Sequence, residues 1–162
     1  MKHRILLTFI YAFALLSSSA AFSAPPRKIP YFASIRSEDA HIRTGPSVRY
    51  PIQWIYKRGS WPVEVTATFE RWRKINDISG EVGWIHESLL TLNRNVIVNS
   101  KKTQEIYALP ITSSAVILKA ENGVVANLMQ CKNDWCKISL EDKKGWIEEK
   151  YLWGVSSSEV VE

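Results

Sequence analysis

An internal repeat is the feature of this sequence that most constrains its fold. Three landmarks occur twice in the same order: Trp72-Arg73-Lys74-Ile75 with Trp135-Cys136-Lys137-Ile138, Gly83-Trp84-Ile85 with Gly145-Trp146-Ile147, and Leu90 with Leu152. The segments 46–59 and 110–123, each beginning with Pro and ending with Gly, also correspond. Since the offsets are all 62 to 64 residues, the sequence predicts two copies of one small unit. Units of about 60 residues can fold alone.

Short alternating segments and tight turns within each unit indicate strands rather than helices. Predicted strands cover residues 52–56, 63–68, 72–75 and 82–85 in the first unit, and 115–118, 124–129, 135–140 and 145–147 in the second. Turn-forming residues separate them, as at 76–80 and 121–123. About five short strands per unit predict an all-β fold of two small closed barrels, which leave little exposed edge.

The aromatic content supports this interpretation, because small barrels need bulky residues to fill a small core. The chain has seven Trp, six Tyr and five Phe. Its formal net charge of +5 includes Lys2 and Arg4, which lie in a segment that we expect to be removed. The other basic residues are scattered among acidic ones, so we expect no nucleic-acid binding.

The first 23 residues have the three-part plan of a secretory signal peptide. A basic start precedes an apolar stretch over residues 5–16 and a run of small residues over 17–24, with cleavage expected within 20–24, after Ala21 or Ser23. An uncleaved anchor is the alternative, because residues 5–24 reach the length of a membrane span. We therefore expect a periplasmic or secreted protein that engages a membrane only if the signal is not cleaved.

The repeat and the signal together predict six segments. These are a signal peptide (1–23), a flexible leader (24–30), a first barrel (31–92), a linker (93–95), a second barrel (96–155) and a flexible tail (156–162). Because the linker is so short, we expect the two barrels to have a restricted relative orientation.

The motifs of both units resemble the bacterial SH3-like (SH3b) family. In the first unit the resemblance rests on Ala40-His41-Ile42-Arg43-Thr44-Gly45-Pro46-Ser47, Pro62-Val63-Glu64-Val65, Trp72-Arg73-Lys74-Ile75 and Gly83-Trp84-Ile85-His86. The second unit resembles a partner module of exported proteobacterial proteins, on Tyr107-Ala108-Leu109-Pro110, Gly123-Val124-Val125, Cys131, Trp135-Cys136-Lys137-Ile138 and Gly145-Trp146. The resemblance covers residues 31–155. It implies two tandem SH3-like β-barrels and a role in cell-wall, peptide or protein recognition, although a fold alone does not establish a function.

Cys131 and Cys136 are the only cysteines and flank a predicted hairpin loop. In an oxidising compartment they predict a disulfide across that hairpin. A catalytic thiol is the alternative, as in the cysteine peptidoglycan hydrolases that carry SH3b modules. Such an enzyme needs a His base and a third group on a catalytic domain, for which the residues outside the two units are too few. We therefore predict no catalytic residues and no enzymatic activity.

Metal binding is not indicated either. His41 and His86, combined with two cysteines five residues apart, do not have the usual spacing of a zinc site. Adjacent carboxylates such as Glu148 and Glu149 point to opposite faces of a strand and are interpreted as surface charges. We expect neither a metal nor another cofactor.

The tryptophans fall into two groups. Trp72, Trp84, Trp135 and Trp146 occupy repeat-equivalent strand positions, which predicts structural roles. Tyr50, Trp54, Tyr56 and Trp61 cluster around the turn at residue 59, and the second unit has mostly aliphatic residues there.

This asymmetry suggests a ligand surface, since aromatic grooves accept extended peptides and sugars. We take Arg43, Tyr50, Trp54 and Trp61 as candidate ligand-binding residues; packing in the core is the alternative for the aromatic ones. The sequence thus predicts a monomeric, non-catalytic envelope protein that binds peptidoglycan or a peptide. The alternative is a structural or regulatory adaptor whose partner is an envelope protein.

Overall fold

A computed structural model describes residues 27–156 and Val161. The predicted signal peptide, the first part of the predicted leader and most of the predicted tail (157–160 and 162) lie outside the described residues. The described chain forms two antiparallel sheets of seven strands each, rather than the five strands per unit expected from the sequence. Some of the additional strands, such as the two-residue strand Leu90–Thr91, are too short to show an alternation of apolar and polar residues. None of the described helical segments has the length and apolar character needed to cross a membrane.

The strands of the first sheet are β1 (Tyr31–Ile35), β2 (Ala40–Arg43), β3 (Ile52–Tyr56), β4 (Pro62–Phe69), β5 (Trp72–Asn76), β6 (Val82–His86) and β7 (Leu90–Thr91). Those of the second sheet are β8 (Asn95–Val98), β9 (Gln104–Tyr107), β10 (Val116–Ala120), β11 (Val125–Lys132), β12 (Trp135–Leu140), β13 (Lys143–Glu148) and β14 (Leu152–Trp153). One turn of 3₁₀ helix, Glu87–Leu89 or Glu149–Tyr151, precedes the last strand of each sheet.

The two sheets have the same strand order, β3-β2-β6-β5-β4-β1-β7 and β10-β9-β13-β12-β11-β8-β14. They also share irregularities of pairing. The register of the long strand shifts between Val65 and Ala67 in β4, and between Leu128 and Gln130 in β11. Such a bulge bends a strand and increases its twist, which lets a small sheet curl around its own core. The repeat seen in the sequence is therefore a repeat of topology, and the fold is that of two tandem SH3-like barrels.

Alternation places one face of each strand in a core. In the first barrel the core consists of Ala33, Ile35, Ala40, Ile42, Val63, Val65, Ile75, Ile85 and Leu90. In the second it consists of Val96, Val98, Ile106, Ala120, Ala126, Leu128, Cys131, Cys136, Ile138 and Ile147. Almost all are aliphatic. Aromatic side chains lie mainly around these cores: Phe32 and Trp146 are buried, and Trp54, Tyr56 and Trp61 pack against the first core while partly buried.

The glycine of each Gly-Trp-Ile motif allows two strands to cross closely. A Cβ on Gly83 would lie 2.3 Å from the Cγ2 atom of Ile42, and one on Gly145 would lie 2.6 Å from the Cγ2 atom of Ile106. Both isoleucines are fully buried. Because no side chain fits in that space, the motif is required by packing in both barrels.

The predicted disulfide is confirmed. Cys131 and Cys136 lie opposite each other on β11 and β12, with their sulfur atoms 1.98 Å apart. The hairpin between them turns at Asn133 and Asp134, which have φ angles of 51° and 65°. Asn and Asp tolerate this left-handed region better than most residues, so the turn chemistry brings the two cysteines together.

The outer faces of β1 and β8 connect the two barrels. The backbone N–H of Asn95 donates a hydrogen bond to the buried Ser34 hydroxyl at 2.9 Å. The rings of Phe32 and Trp153 meet edge to face at 5.2 Å, and the guanidinium of Arg94 lies 5.6 Å from the Phe32 ring centre. These contacts limit relative motion of the barrels, because they combine a buried hydrogen bond with aromatic packing.

Candidate functional site

The aromatic surface of the first barrel is built on β3. Trp54 and Tyr56 are two residues apart, so their side chains lie on the same face of the strand. Their rings meet edge to face at 6.2 Å and, like the ring of Trp61, pack against the core of the first barrel. Each of these rings is partly buried: one side packs on the core, and the other side is accessible.

A hydrogen bond holds Tyr56 in place. Its hydroxyl donates to the Oδ2 atom of Asp77 at 2.9 Å, across 21 residues of sequence. The other oxygen of Asp77 accepts hydrogen bonds from the backbone N–H groups of Ser79 and Glu81. Burial, together with this hydrogen bond and the charge of Asp77, raises the pKa of Tyr56. The hydrogen bond to Asp77 and the contact with Trp54 together fix the position of the Tyr56 ring.

A shallow pocket lies on one side of Tyr56. It is lined by Ile55, Tyr56, Lys57, Arg58 and Trp61. The guanidinium of Arg58 lies over the Trp61 ring, 5.3 Å from its centre. The buried Nε1 atom of Trp61 has no hydrogen-bond partner among the described residues. The pocket therefore combines an aromatic wall with a cation, which suits a ligand with an apolar face and an anionic group.

A second pocket on the other side of Tyr56 has the opposite charge. Its lining comprises Gln53, Trp54, Tyr56, Asp77 and Glu81. The two pockets share Tyr56. Together they form one surface, which we call the aromatic face, with a basic end and an acidic end.

Two of the four residues predicted to bind a ligand lie away from both pockets. The Arg43 guanidinium donates a hydrogen bond to the backbone oxygen of Tyr50 at 2.8 Å. The ring of Tyr50 covers Gly45, where a Cβ would come within 2.6 Å of it. Neither Arg43 nor Tyr50 lines either pocket. Both organise the loop between β2 and β3, whereas Trp54 and Trp61 lie in the two neighbouring pockets.

Sequence reasoning missed the residues between the two tryptophans. Tyr56 was in the aromatic cluster but not among the candidate ligand-binding residues, although its spacing from Trp54 indicates a shared face. Arg58 precedes Trp61 by three residues and lies beside the turn at residue 59, so its position in the sequence does not mark it as a pocket residue. Asp77 gave no usable signal, because its link to Tyr56 exists only in the folded chain.

The second barrel does not repeat the aromatic face. Leu118 pairs with Ile106 as Trp54 pairs with Ile42, so Leu118 occupies the position of Trp54. Val124 occupies the position of Trp61. The carbonyl of Trp61 accepts a hydrogen bond from the N–H of Ile35 at the end of β1, and the carbonyl of Val124 accepts one from the N–H of Val98 at the end of β8. The asymmetry expected from the sequence is thus also present in space.

The described residues do not include a group of three His, Cys, Asp or Glu side chains that could hold a metal ion. His86 is engaged locally: its Nδ1 atom is 2.8 Å from the Ser88 hydroxyl, and its ring packs edge to face against Trp72. The two cysteines form the disulfide and are fully buried.

Comparison with known proteins gives one family and one curated relative. The chain matches the bacterial SH3 domain family twice, at residues 36–91 and 100–154. It is 25% identical over 95% of its length to YrvJ of Bacillus subtilis (strain 168), which is named as an N-acetylmuramoyl-L-alanine amidase. The chain spans only 31% of the length of that relative.

Solved structures with some similarity include three NlpC-type proteins. One is an NlpC/P60 family protein from Bacillus cereus ATCC 10987, with 16% identity and a TM-score of 0.34, covering 75% of this chain and 55% of that one. The others are NlpC1 and NlpC2 from Trichomonas vaginalis, with 11% and 12% identity and TM-scores of 0.36. They cover 80% and 79% of this chain, and 47% and 49% of their own.

Proposed function

The chain belongs to the bacterial SH3 domain family, and we propose that it is an exported, non-catalytic module that binds peptidoglycan through the aromatic face of its first barrel. The matched segments cover most of each barrel, from the residue after β1 to β7 in the first and from the residues after β8 to β14 in the second. The similarity to YrvJ extends over nearly the whole chain but only part of YrvJ, as expected for a targeting region shared with a larger enzyme. N-acetylmuramoyl-L-alanine, in the name of that relative, is a unit of peptidoglycan, which supports a cell-envelope location.

The observation that carries this proposal is the pocket formed by Arg58 and Trp61. Aromatic rings stack on the C–H faces of sugars, and a guanidinium binds carboxylates through charge-assisted hydrogen bonds. Peptidoglycan offers both groups, on its glycan and on its stem peptides. Since Tyr56 is held by Asp77, the platform is already in place before a ligand arrives, which reduces the entropic cost of binding.

The proposal is tested by co-sedimentation of the purified protein with insoluble peptidoglycan. Arg58→Ala removes the cation, and Trp61→Leu removes the ring while it keeps an apolar side chain against the core. We expect Arg58→Ala to bind at least about tenfold more weakly, because one hydrogen bond to a charged group contributes about 1.5 kcal/mol or more. We expect Trp61→Leu to bind more weakly as well, because it removes the ring on which a sugar would stack. Arg49→Ala is the matched control, since Arg49 is exposed and lines neither pocket.

Thermal unfolding of each variant separates a loss of binding from a loss of fold. Equal retention of the wild type, Arg58→Ala and Trp61→Leu would refute the aromatic face as the binding site. Free passage of the wild-type protein would refute peptidoglycan as the ligand.

A further inference from the structure

The end of the chain covers part of the second barrel. The N–H of Cys131 donates a hydrogen bond to the carbonyl oxygen of Val161 at 3.0 Å, and the N–H of Val161 donates back at 3.4 Å. The two residues form an antiparallel bridge, and Val161 packs against the core of the second barrel. This contact lies where an edge would otherwise be open, because β8 pairs with β11 only as far as Asn127.

In the first barrel, no described residue pairs with the same edge. Thr68 lies opposite Arg73 as Cys131 lies opposite Cys136, so Thr68 is the counterpart of Cys131. β1 pairs with β4 only as far as Val65. Thr68 is exposed, whereas Cys131 is fully buried.

A groove of about 720 Å³ lies beside this edge. We call it the edge groove; its lining includes Arg27, Ile29, Arg36, Thr68, Arg73 and Leu90. Thr68, Arg73 and Leu90 correspond to Cys131, Cys136 and Leu152 of the second barrel, by their pairing in the sheets. The groove is therefore the counterpart of the site that Val161 covers.

The lining of the edge groove carries more basic than acidic side chains: Arg27, Arg36 and Arg73 against Glu70 and Glu87. Glu87 in the groove wall is already paired with Arg71 and Arg73. Arg27 and Arg36 are exposed, and neither has a carboxylate partner among the described residues. The tail sequence Ser-Ser-Ser-Glu-Val-Val-Glu, residues 156–162, has two valines between two carboxylates.

We propose that the edge groove of the first barrel binds an extended segment of a partner protein in which aliphatic residues are flanked by carboxylates. The segment adds to the edge of β4 as Val161 adds to β11, its aliphatic side chain lies against Leu90, and its carboxylates pair with Arg27 and Arg36. Addition of a strand to an open edge is a general mode of peptide recognition. The groove shares no lining residue with the aromatic face, so this activity is independent of peptidoglycan binding.

The test is a fluorescence-anisotropy titration of the purified full-length protein with the labelled peptide Ser-Ser-Ser-Glu-Val-Val-Glu as the probe. We expect saturable binding that Arg36→Glu weakens about fivefold or more, since a reversed charge turns an attraction into a repulsion. The matched control Arg49→Glu leaves peptide binding unchanged. The peptide Ser-Ser-Ser-Gln-Val-Val-Gln binds more weakly than the probe.

The position of binding is read from amide chemical shifts, which change at Thr68 and Arg36 rather than at Cys131. Absence of saturable binding at millimolar peptide, or equal binding by wild type and Arg36→Glu, would overturn the proposal. So would shifts confined to the Cys131 edge, which indicate exchange with the protein's own tail. We expect Arg36→Glu to be retained on peptidoglycan like the wild type. Loss of peptide binding with intact retention therefore distinguishes the edge groove from the aromatic face.

Discussion

Replacing Gly83 by alanine tests the packing that both creates the first barrel and positions its aromatic face. The added Cβ would lie 2.3 Å from the Cγ2 atom of Ile42, 3.0 Å from the Cη2 atom of Trp54 and 3.3 Å from the carbonyl oxygen of Arg43. Favourable contacts between carbon atoms are about 3.5 to 4.0 Å long, so the Ile42 methyl must move by more than about 1 Å. Ile42 is fully buried, and because protein interiors are close-packed, its displacement also shifts its neighbours.

Overpacking of this kind costs about 1–3 kcal/mol. Alanine is favoured over glycine within a strand by roughly 0.5–1 kcal/mol, which offsets part of that cost. We therefore expect Gly83→Ala to lower the free energy of unfolding by about 1–2 kcal/mol, measured by urea denaturation followed through tryptophan fluorescence.

Two controls make the result interpretable. Gly80→Ala meets no atom within 4 Å, but Gly80 has a φ of +83°, so it reports backbone strain without a clash. Gly145→Ala introduces the equivalent clash in the second barrel, where the Cβ would lie 2.6 Å from Ile106 and 2.9 Å from the Tyr107 oxygen. Of the two clashing variants, only Gly83→Ala should also weaken peptidoglycan retention, because it displaces Trp54. An unfolding free energy for Gly83→Ala equal to that of the wild type would refute the packing argument.

Two further predictions concern the disulfide and the response to acid. Replacing both Cys131 and Cys136 by alanine should lower the free energy of unfolding by about 2 kcal/mol in urea titrations, from the entropy of closing so short a loop; an unchanged midpoint would show that the hairpin is held by its turn alone. Hydrogen bonding to Arg71 and the nearby charge of Arg73 lower the pKa of Glu87 from its ordinary value of 4.5. The ion pairs of Glu87 therefore stabilise the fold fully above pH 4.5, and this stabilisation is lost as the pH falls through the lowered pKa. Glu87→Gln should accordingly be less stable than the wild type at pH 7, by up to about 1 kcal/mol for an exposed pair, and equally stable at strongly acidic pH; a difference independent of pH in parallel thermal scans would contradict the assignment.

Much of the fold could be predicted because its signals are local in the sequence. The strand that carries Trp72 and the one that carries Trp84 follow from alternation and turn residues, and each recurs one repeat later. The disulfide was also predictable, since Cys131 and Cys136 flank one hairpin and only its turn has to form. The seven-stranded count was not, because strands such as β7 are too short to show a period.

The candidate site was predicted only in part. Trp54 and Trp61 were chosen from their chemistry, and the structure places them in neighbouring pockets. Arg43 and Tyr50 were chosen on the same grounds, yet they hold a loop, because their contact depends on how β2 meets that loop in space. An aromatic ring can pack on the core with one side and line a pocket with the other. The alternation of a strand predicts which side chains face the core, but it does not predict which other residues surround the exposed side of the ring.

The sequence by itself determined the number of units, because the repeat is visible without the fold. It also determined their β character and the cysteine pair, since these depend on residues close together in the chain. Only the tertiary structure decided that Tyr56 is fixed by Asp77, that Phe32 meets Trp153 between the barrels, and that Val161 returns to the edge of β11. These contacts join residues 21 or more positions apart. They form because folding buries apolar faces and open edges wherever the chain can reach them, which no local pattern specifies.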